Sequence, residues 1–297
     1  MASNLNIFSR EQRIRVIRFL AFLSLIRWYN LLVVAIAQYL AAYFILHNQP
    51  PWQAVLLDFR LLMVVLSTSL VIAGGYIINA FYDIEKDMAN RPEEVIMGRI
   101  ISKALAMRAW VGVNMLAIGI SFLLLWQLVI FNGLFAGALW FYSHKLKKKP
   151  LMGELTASVL TVAAFFAVCV YYGFINEVIL VYAVFILLIT LIRELIKDLA
   201  SVRGDMVYGY QTFPAVYGLR ATKKLLYLLI TLTVIPFALL YAMVPLSLLL
   251  WYFAACAIVL FIAIYWIWRA KLPVEFEKLN TLFKLLILSG VASIVLM

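Results

Sequence analysis

The chain has 297 residues, of which 66% are hydrophobic and 13% charged, with a formal net charge of +11 and a mean hydropathy of +1.02. That balance excludes a soluble domain, in which about half the residues are apolar and about a quarter are charged. It predicts an all-α, polytopic membrane bundle forming one domain over residues 1–297, since runs of about 20 apolar residues suffice to cross the hydrocarbon.

The first eighteen residues are polar and basic, and the apolar stretch behind them is too long for the core of a cleavable signal peptide. Residues 9–19 predict a short amphipathic helix on the membrane surface. Ser9 and Gln12 have the spacing of a capping box, Arg13 and Arg18 meet headgroups, and Ile14 and Ile17 dip inward. A plain basic flank of the first span is the other reading. Nine spans then follow, at 20–46, 61–82, 102–125, 127–143, 151–172, 176–195, 222–242, 245–268 and 279–297. Cys169 and Cys256 fall inside spans, without disulfide or zinc spacing, and His47 and His144 stand apart. The chain has no Gly-rich phosphate loop, nucleophile elbow or HExxH.

Counting the connections alternately puts 24 of the 25 Lys and Arg residues on one side, with only Arg60 on the other. The positive-inside rule makes that side cytoplasmic and places the N-terminus there. Orientation and attraction to anionic lipid account for the charge without a nucleic-acid partner. Two connections on that side, 83–101 and 196–221, are long and polar. Extra length on one face predicts cap loops that wall a site.

Both long connections begin with acids. Asn79, Asp83 and Asp87 recur every four residues, so they share one helical face. Two acids one turn apart repel unless a cation lies between them, and Mg²⁺ held by a few carboxylates and substrate phosphates would resolve the repulsion. A solvated helix end is the alternative. The second connection follows Arg193-Glu194-Leu195-Ile196-Lys197-Asp198. Asp198 and Asp205 stand seven apart, two helical turns, and Gly204 is expected to end the helix and free Asp205.

The NxxxDxxxD pattern with the later KDxxxxxGD pattern resembles the UbiA family of intramembrane prenyltransferases. Supporting matches are Leu25-Ile26-Arg27-Trp28-Tyr29-Asn30, Ala73-Gly74-Gly75-Tyr76, Asn90-Arg91-Pro92, Tyr142-Ser143 and Leu146-Lys147-Lys148. Two positions depart from the pattern. Ala80 stands where that family often has Asp, and Ser201 stands near a usual third acid of the second motif.

The resemblance implies a cytoplasmic-membrane enzyme that moves a prenyl chain from an isoprenyl diphosphate to a lipophilic acceptor, with Mg²⁺. It implies that Asn79, Asp83 and Asp87 hold one Mg²⁺, and that Asp198 and Asp205 hold or complete a second. Arg91, Lys147 and Lys197 would neutralise diphosphate, and Arg27 would reach in from the first span. Tyr142 would line the substrate chamber, and Glu194 would pair with Arg193 or another basic neighbour. Ala73, Gly74 and Gly75 would let helices approach closely. Arg193 to Asp198 resembles the branch that prenylates glycerol-phosphate lipids; an aromatic quinone precursor is the next acceptor. A transporter would need acids at mid-span, where this chain has none. A non-catalytic prenyl-lipid-binding protein also stays open, because of Ser201.

Overall fold

The structure is a computed structural model describing residues 9–46, 51–90, 92–243 and 248–296. Arg91 and His47 lie outside the described residues. The described residues form a helical bundle whose one strand-like feature is an isolated bridge between Met97 and Ile101.

Helix α1 (Arg10–Leu25) begins at Ser9, whose hydroxyl accepts from the Gln12 N–H while the Gln12 side chain accepts from the Ser9 N–H. The expected capping box is therefore present, and Ile14 and Ile17 are exposed on α1. The expected first span, 20–46, is not one straight helix. It breaks at Arg27, whose φ of 50° is left-handed, and α2 (Trp28–Ala41) leaves at 50° to α1. A π-helical turn, Ala42–Leu46, extends α2, and a short α3 (Trp52–Leu56) follows.

Each of the other expected spans has its helix. They are α4 (Phe59–Asn90), α5 (Lys103–Leu124), α6 (Trp126–His144), α7 (Met152–Tyr172), α8 (Glu177–Val207), the successive α9 (Phe213–Leu232) and α10 (Val234–Met243), α11 (Leu248–Arg269) and α12 (Pro273–Ser293). Among the described residues seven helical stretches are long and apolar enough to cross a membrane, and the bent α1–α2 pair makes an eighth. Helix α6 has 19 residues, carries Gln127, Asn132 and His144, and packs on α4, α5 and α7.

Helix pairs in lipid gain little from the hydrophobic effect, so close packing and small residues hold them together. In the first half of the chain a Cβ on Gly74 would meet the Asn114 amide of α5 at 2.6 Å, and one on Gly75 would meet Leu139 of α6 at 3.0 Å. Those glycines are what lets α5 and α6 approach α4. The second half packs large side chains instead: Phe185 on α8, Phe253 on α11, and Phe276 and Phe283 on α12. Helix α12 also touches α2, which joins the two halves.

Helices α4 and α8 are the two longest, with 32 and 31 residues. Both run beyond their expected ends and carry the acidic motifs with them. The expected release of Asp205 at Gly204 does not occur, because both residues lie buried inside α8. The helix stops five residues later at Gly209, whose φ is +70°. There the Tyr210 N–H donates to the Asp205 carbonyl at 2.9 Å and the Gly209 N–H to the Met206 carbonyl at 3.5 Å. This is a Schellman ending, with glycine at the one left-handed position. The connection after α4 tucks Met97 and Ile101 against Ala21 and Leu25 of α1.

Candidate active site

Asn79, Asp83 and Asp87 do share one face of α4, at the end where α8 also finishes. The Lys147 ammonium, on the turn between α6 and α7, lies 2.6 Å from Asp83 Oδ1 and 3.2 Å from Asn79 Oδ1. That turn sits tightly on α7, since a Cβ on Gly153 would meet the Lys147 backbone at 3.0 Å. Burial pushes the Lys147 ammonium below its ordinary range, and the Asp83 carboxylate pulls it partly back. Asp87 is exposed, one turn further on.

The segment after α8 crosses from one acidic helix to the other. The Tyr210 hydroxyl donates to Asp83 Oδ1 at 2.6 Å, and burial followed by the Asp83 charge raises its pKa. The Thr212 hydroxyl donates to Asp205 Oδ2 at 3.1 Å. The Gln211 N–H donates to the Lys148 carbonyl at 3.1 Å, and the Phe213 N–H to Glu154 Oε1 at 2.7 Å. Four successive residues therefore tie α4, the Lys147 turn, α7 and α8 together. The backbone N–H groups of Tyr210, Gln211 and Phe213 and the hydroxyls of Tyr210 and Thr212 all find partners, as buried polar groups must.

Asp205 is fully buried, and its Oδ1 ion-pairs with the Lys86 ammonium at 2.5 Å. The Ser201 hydroxyl shares its one proton between the other Asp205 oxygen at 3.4 Å and the Lys197 carbonyl at 3.3 Å. Asp198 is buried one turn below Ser201, against the carboxyl of Glu154. Glu154 lies 3% exposed on the first turn of α7, with Oε2 unpartnered. Glu194 pairs with Arg193 at 2.8 Å and also with Lys197, as expected.

Tyr142 on α6 is half-buried within the electrostatic reach of Asp83, Glu154, Glu194 and Asp198. Arg27 stacks its guanidinium 5.3 Å from the centre of the Tyr76 ring, and its charge reaches Asp87 and Glu194. The fold thus brings together Arg27, Asn79, Asp83, Asp87, Tyr142, Lys147, Glu194, Lys197, Asp198 and Asp205.

Lys86, Glu154, Tyr210 and Thr212 went unrecognised from the sequence. Lys86 merged with the other basic residues of its side, and Tyr210 and Thr212 are ordinary until the fold juxtaposes them. Glu154 alone gave a signal, as an acid opening an apolar span.

Among the described residues no three His, Cys, Asp or Glu side chains converge as a metal cage. Magnesium needs less, because it keeps waters and takes one or two carboxylates with substrate phosphates. On the α4 wall the donors suit it: a carboxylate and an amide oxygen one turn apart, with exposed Asp87 following. Both described contacts to Asp83 fall on Oδ1, leaving Oδ2 for such an ion.

Known proteins share this arrangement of helices. The pattern of the UbiA prenyltransferase family matches residues 31–289. The chain is 32% identical to digeranylgeranylglyceryl phosphate synthase of Methanospirillum hungatei JF-1, over 75% of this chain and 77% of that one. It is 28% identical to the protein of that name from Thermococcus sibiricus, over 69% and 71%. A solved UbiA homologue from Archaeoglobus fulgidus bound to GPP and Mg²⁺ superposes with a TM-score of 0.67 at 16% identity, covering 93% of this chain and 99% of the homologue. A structure from work on digeranylgeranylglyceryl phosphate synthase in membranes superposes at 0.69 with 22% identity, covering 94% and 99%.

Proposed function

The chain belongs to the UbiA prenyltransferase family and is a multi-pass membrane prenyltransferase; from that premise we propose that it transfers a geranylgeranyl group from its diphosphate to geranylgeranylglyceryl phosphate, with Mg²⁺. Residues 1–297 act as one catalytic domain in this reading. The observation that carries it is the meeting of the α4 and α8 acids around buried lysines at one end of the bundle. The curated relatives' name supports the phosphate-bearing acceptor.

In the reaction the allylic C–O bond of the donor breaks and pyrophosphate leaves. The acceptor hydroxyl oxygen forms the new C–O bond and releases its proton. Bound by Asn79, Asp83 and Asp87, Mg²⁺ would supply Lewis-acid neutralisation of the charge growing on the leaving group. Lys147, freed from part of its hold on Asp83, donates to diphosphate oxygens as a compact cation. Lys197 and Arg27 add positive charge on the α8 and α2 sides, and Arg91 is proposed for the same task. Asp198 and Asp205 fix cationic charge on the α8 wall. Tyr142 and Tyr82 present ring faces toward the allylic cation, which the helices shield from water.

The test is product identification by mass spectrometry. Purified protein receives labelled geranylgeranyl diphosphate with geranylgeranylglyceryl phosphate or an aromatic quinone precursor. A doubly prenylated glycerol phosphate that disappears with EDTA is expected. Product only on the aromatic acceptor would overturn the acceptor; no product on either would overturn the reaction.

The proposal places the acidic end in the cytoplasm. A cysteine at exposed Val207 then reacts with an impermeant reagent only after the inner face is opened. Labelling in sealed right-side-out vesicles would reverse that orientation.

A further inference from the structure

The two acidic walls are built differently. Asp83 offers one oxygen to Lys147 and Tyr210 and keeps the other. Asp205 instead has its own cation: among the described residues Oδ1 makes no hydrogen bond and is met only by the ion pair with Lys86. Lys86 faces Oδ1 at 2.5 Å, while Thr212 donates to Oδ2 at 3.1 Å, and the Ser201 hydroxyl shares its one proton between Oδ2 at 3.4 Å and the Lys197 carbonyl at 3.3 Å. The Asp205 side chain is 0% exposed and that of Lys86 is 16% exposed.

Lys86 projects from α4, one residue before Asp87, yet its partner is on α8. Its ammonium lies within the field of Asp198 and Asp83 as well as Asp205. The Tyr210 ring covers it at 4.5 Å from the ring centre. The ammonium thus bridges the acidic helices from a covalent tether, in a low-dielectric pocket where an unpaired charge would be costly. Magnesium sheds its waters reluctantly, and a buried carboxylate already paired with a fixed ammonium and held by Thr212 is a poor replacement for them. The absence of a third acid at Ser201 fits a site that holds one positive charge rather than two.

We propose that Lys86 is a resident cation that takes the place of a divalent ion on the Asp205 wall, so that this chain works with a single Mg²⁺, held by α4. The inference rests on the Mg²⁺-dependent reading above. Lys86 then contributes to diphosphate binding directly: one N–H stays on Asp205 and another donates to a phosphate oxygen. Ser201 and Thr212 orient Asp205 for that task.

The test counts metal ions rather than turnover. Mn²⁺ is titrated into the purified full chain with a non-hydrolysable geranylgeranyl thiodiphosphate, and bound Mn²⁺ is read by electron paramagnetic resonance. One Mn²⁺ per chain is expected, with no coupling between two spins. Lys86→Met frees Asp205 beside Asp198, so the count should rise to two. Lys86→Arg should leave it at one. Where Lys86→Met loses its monodisperse form, Lys86→Gln carries the same expectation. Two Mn²⁺ in the unmodified protein overturn the proposal without recourse to any variant. So does a count that stays at one when the charge of Lys86 is removed. Failure to bind any Mn²⁺ or the thiodiphosphate would instead strike the functional reading itself.

Discussion

The two ends of the bundle solve the same problem with different chemistry. In the half away from the acids, the buried polar side chains are neutral and meet neutral partners. Asn132 on α6 donates to Ser121 on α5 at 2.8 Å and to Ser67 on α4 at 3.2 Å, and Gln38 donates to the Ala164 carbonyl at 2.7 Å. At the other end the buried groups are charged, and Asp83 and Asp205 are each met by a lysine from a different element. Neutral contacts of the first kind add about 0.6 kcal/mol on average between membrane helices. Charged pairs of the second kind cost several kcal/mol when one partner is lost. The first set holds helices together; the second makes sense where a charged substrate will enter and exchange partners.

That contrast breaks if charge at the acidic end proves structural. Asp83→Asn removes a metal-binding charge while keeping shape, so turnover should fall roughly 10²–10³-fold in protein that is still folded at the assay temperature. Measuring initial rates and unfolding on the same preparation decides it, and near-normal rates would break the contrast. Lys147→Met should lower kcat/KM about 30-fold or more, because truncating a buried charge partner costs about 2–5 kcal/mol. Most of the loss should appear in donor KM, as measured by varying diphosphate concentration.

Smaller changes sharpen the same comparison. Tyr210→Phe removes one donor to a carboxylate that keeps its lysine. A loss of about 1.5 kcal/mol, roughly tenfold in kcat/KM, is expected; a steady-state rate within twofold would show the segment after α8 to be a bystander. Asn132→Leu, close in volume, removes two neutral contacts at the opposite end. Its expected effect is a drop of about 1 kcal/mol in stability, read as a thermal shift of a few degrees, with turnover unchanged. A large activity loss in that variant would erase the distinction between the two ends.

Hydropathy, charge bias and motif spacing were enough to predict a polytopic helical protein with all-acidic landmarks at one end. They also located Asn79, Asp83, Asp87, Asp198 and Asp205, because side chains four or seven apart on a helix share a face whatever surrounds them. The same local rules predicted the Ser9 cap and the close approach at Gly74 and Gly75. They failed at boundaries. Gly204 looks like a helix end, yet packing continues α8 to Gly209, where a left-handed residue allows the Schellman ending. The bend at Arg27 was invisible too, since arginine carries no preference for φ of 50°.

What only the tertiary structure decided is which charge meets which. Lys86 and Asp205 are far apart in sequence, as are Tyr210 and Asp83, and nothing in either local pattern links them. A sequence encodes periodicity and propensity within a helix, and these are short-range. Partner choice across α4 and α8 depends on crossing geometry, on Gly153 letting a turn settle against α7, and on a five-residue reversal after Val207. Those are collective outcomes of packing, so the acids and Lys147 could be named beforehand but Lys86, Tyr210 and Glu154 could not.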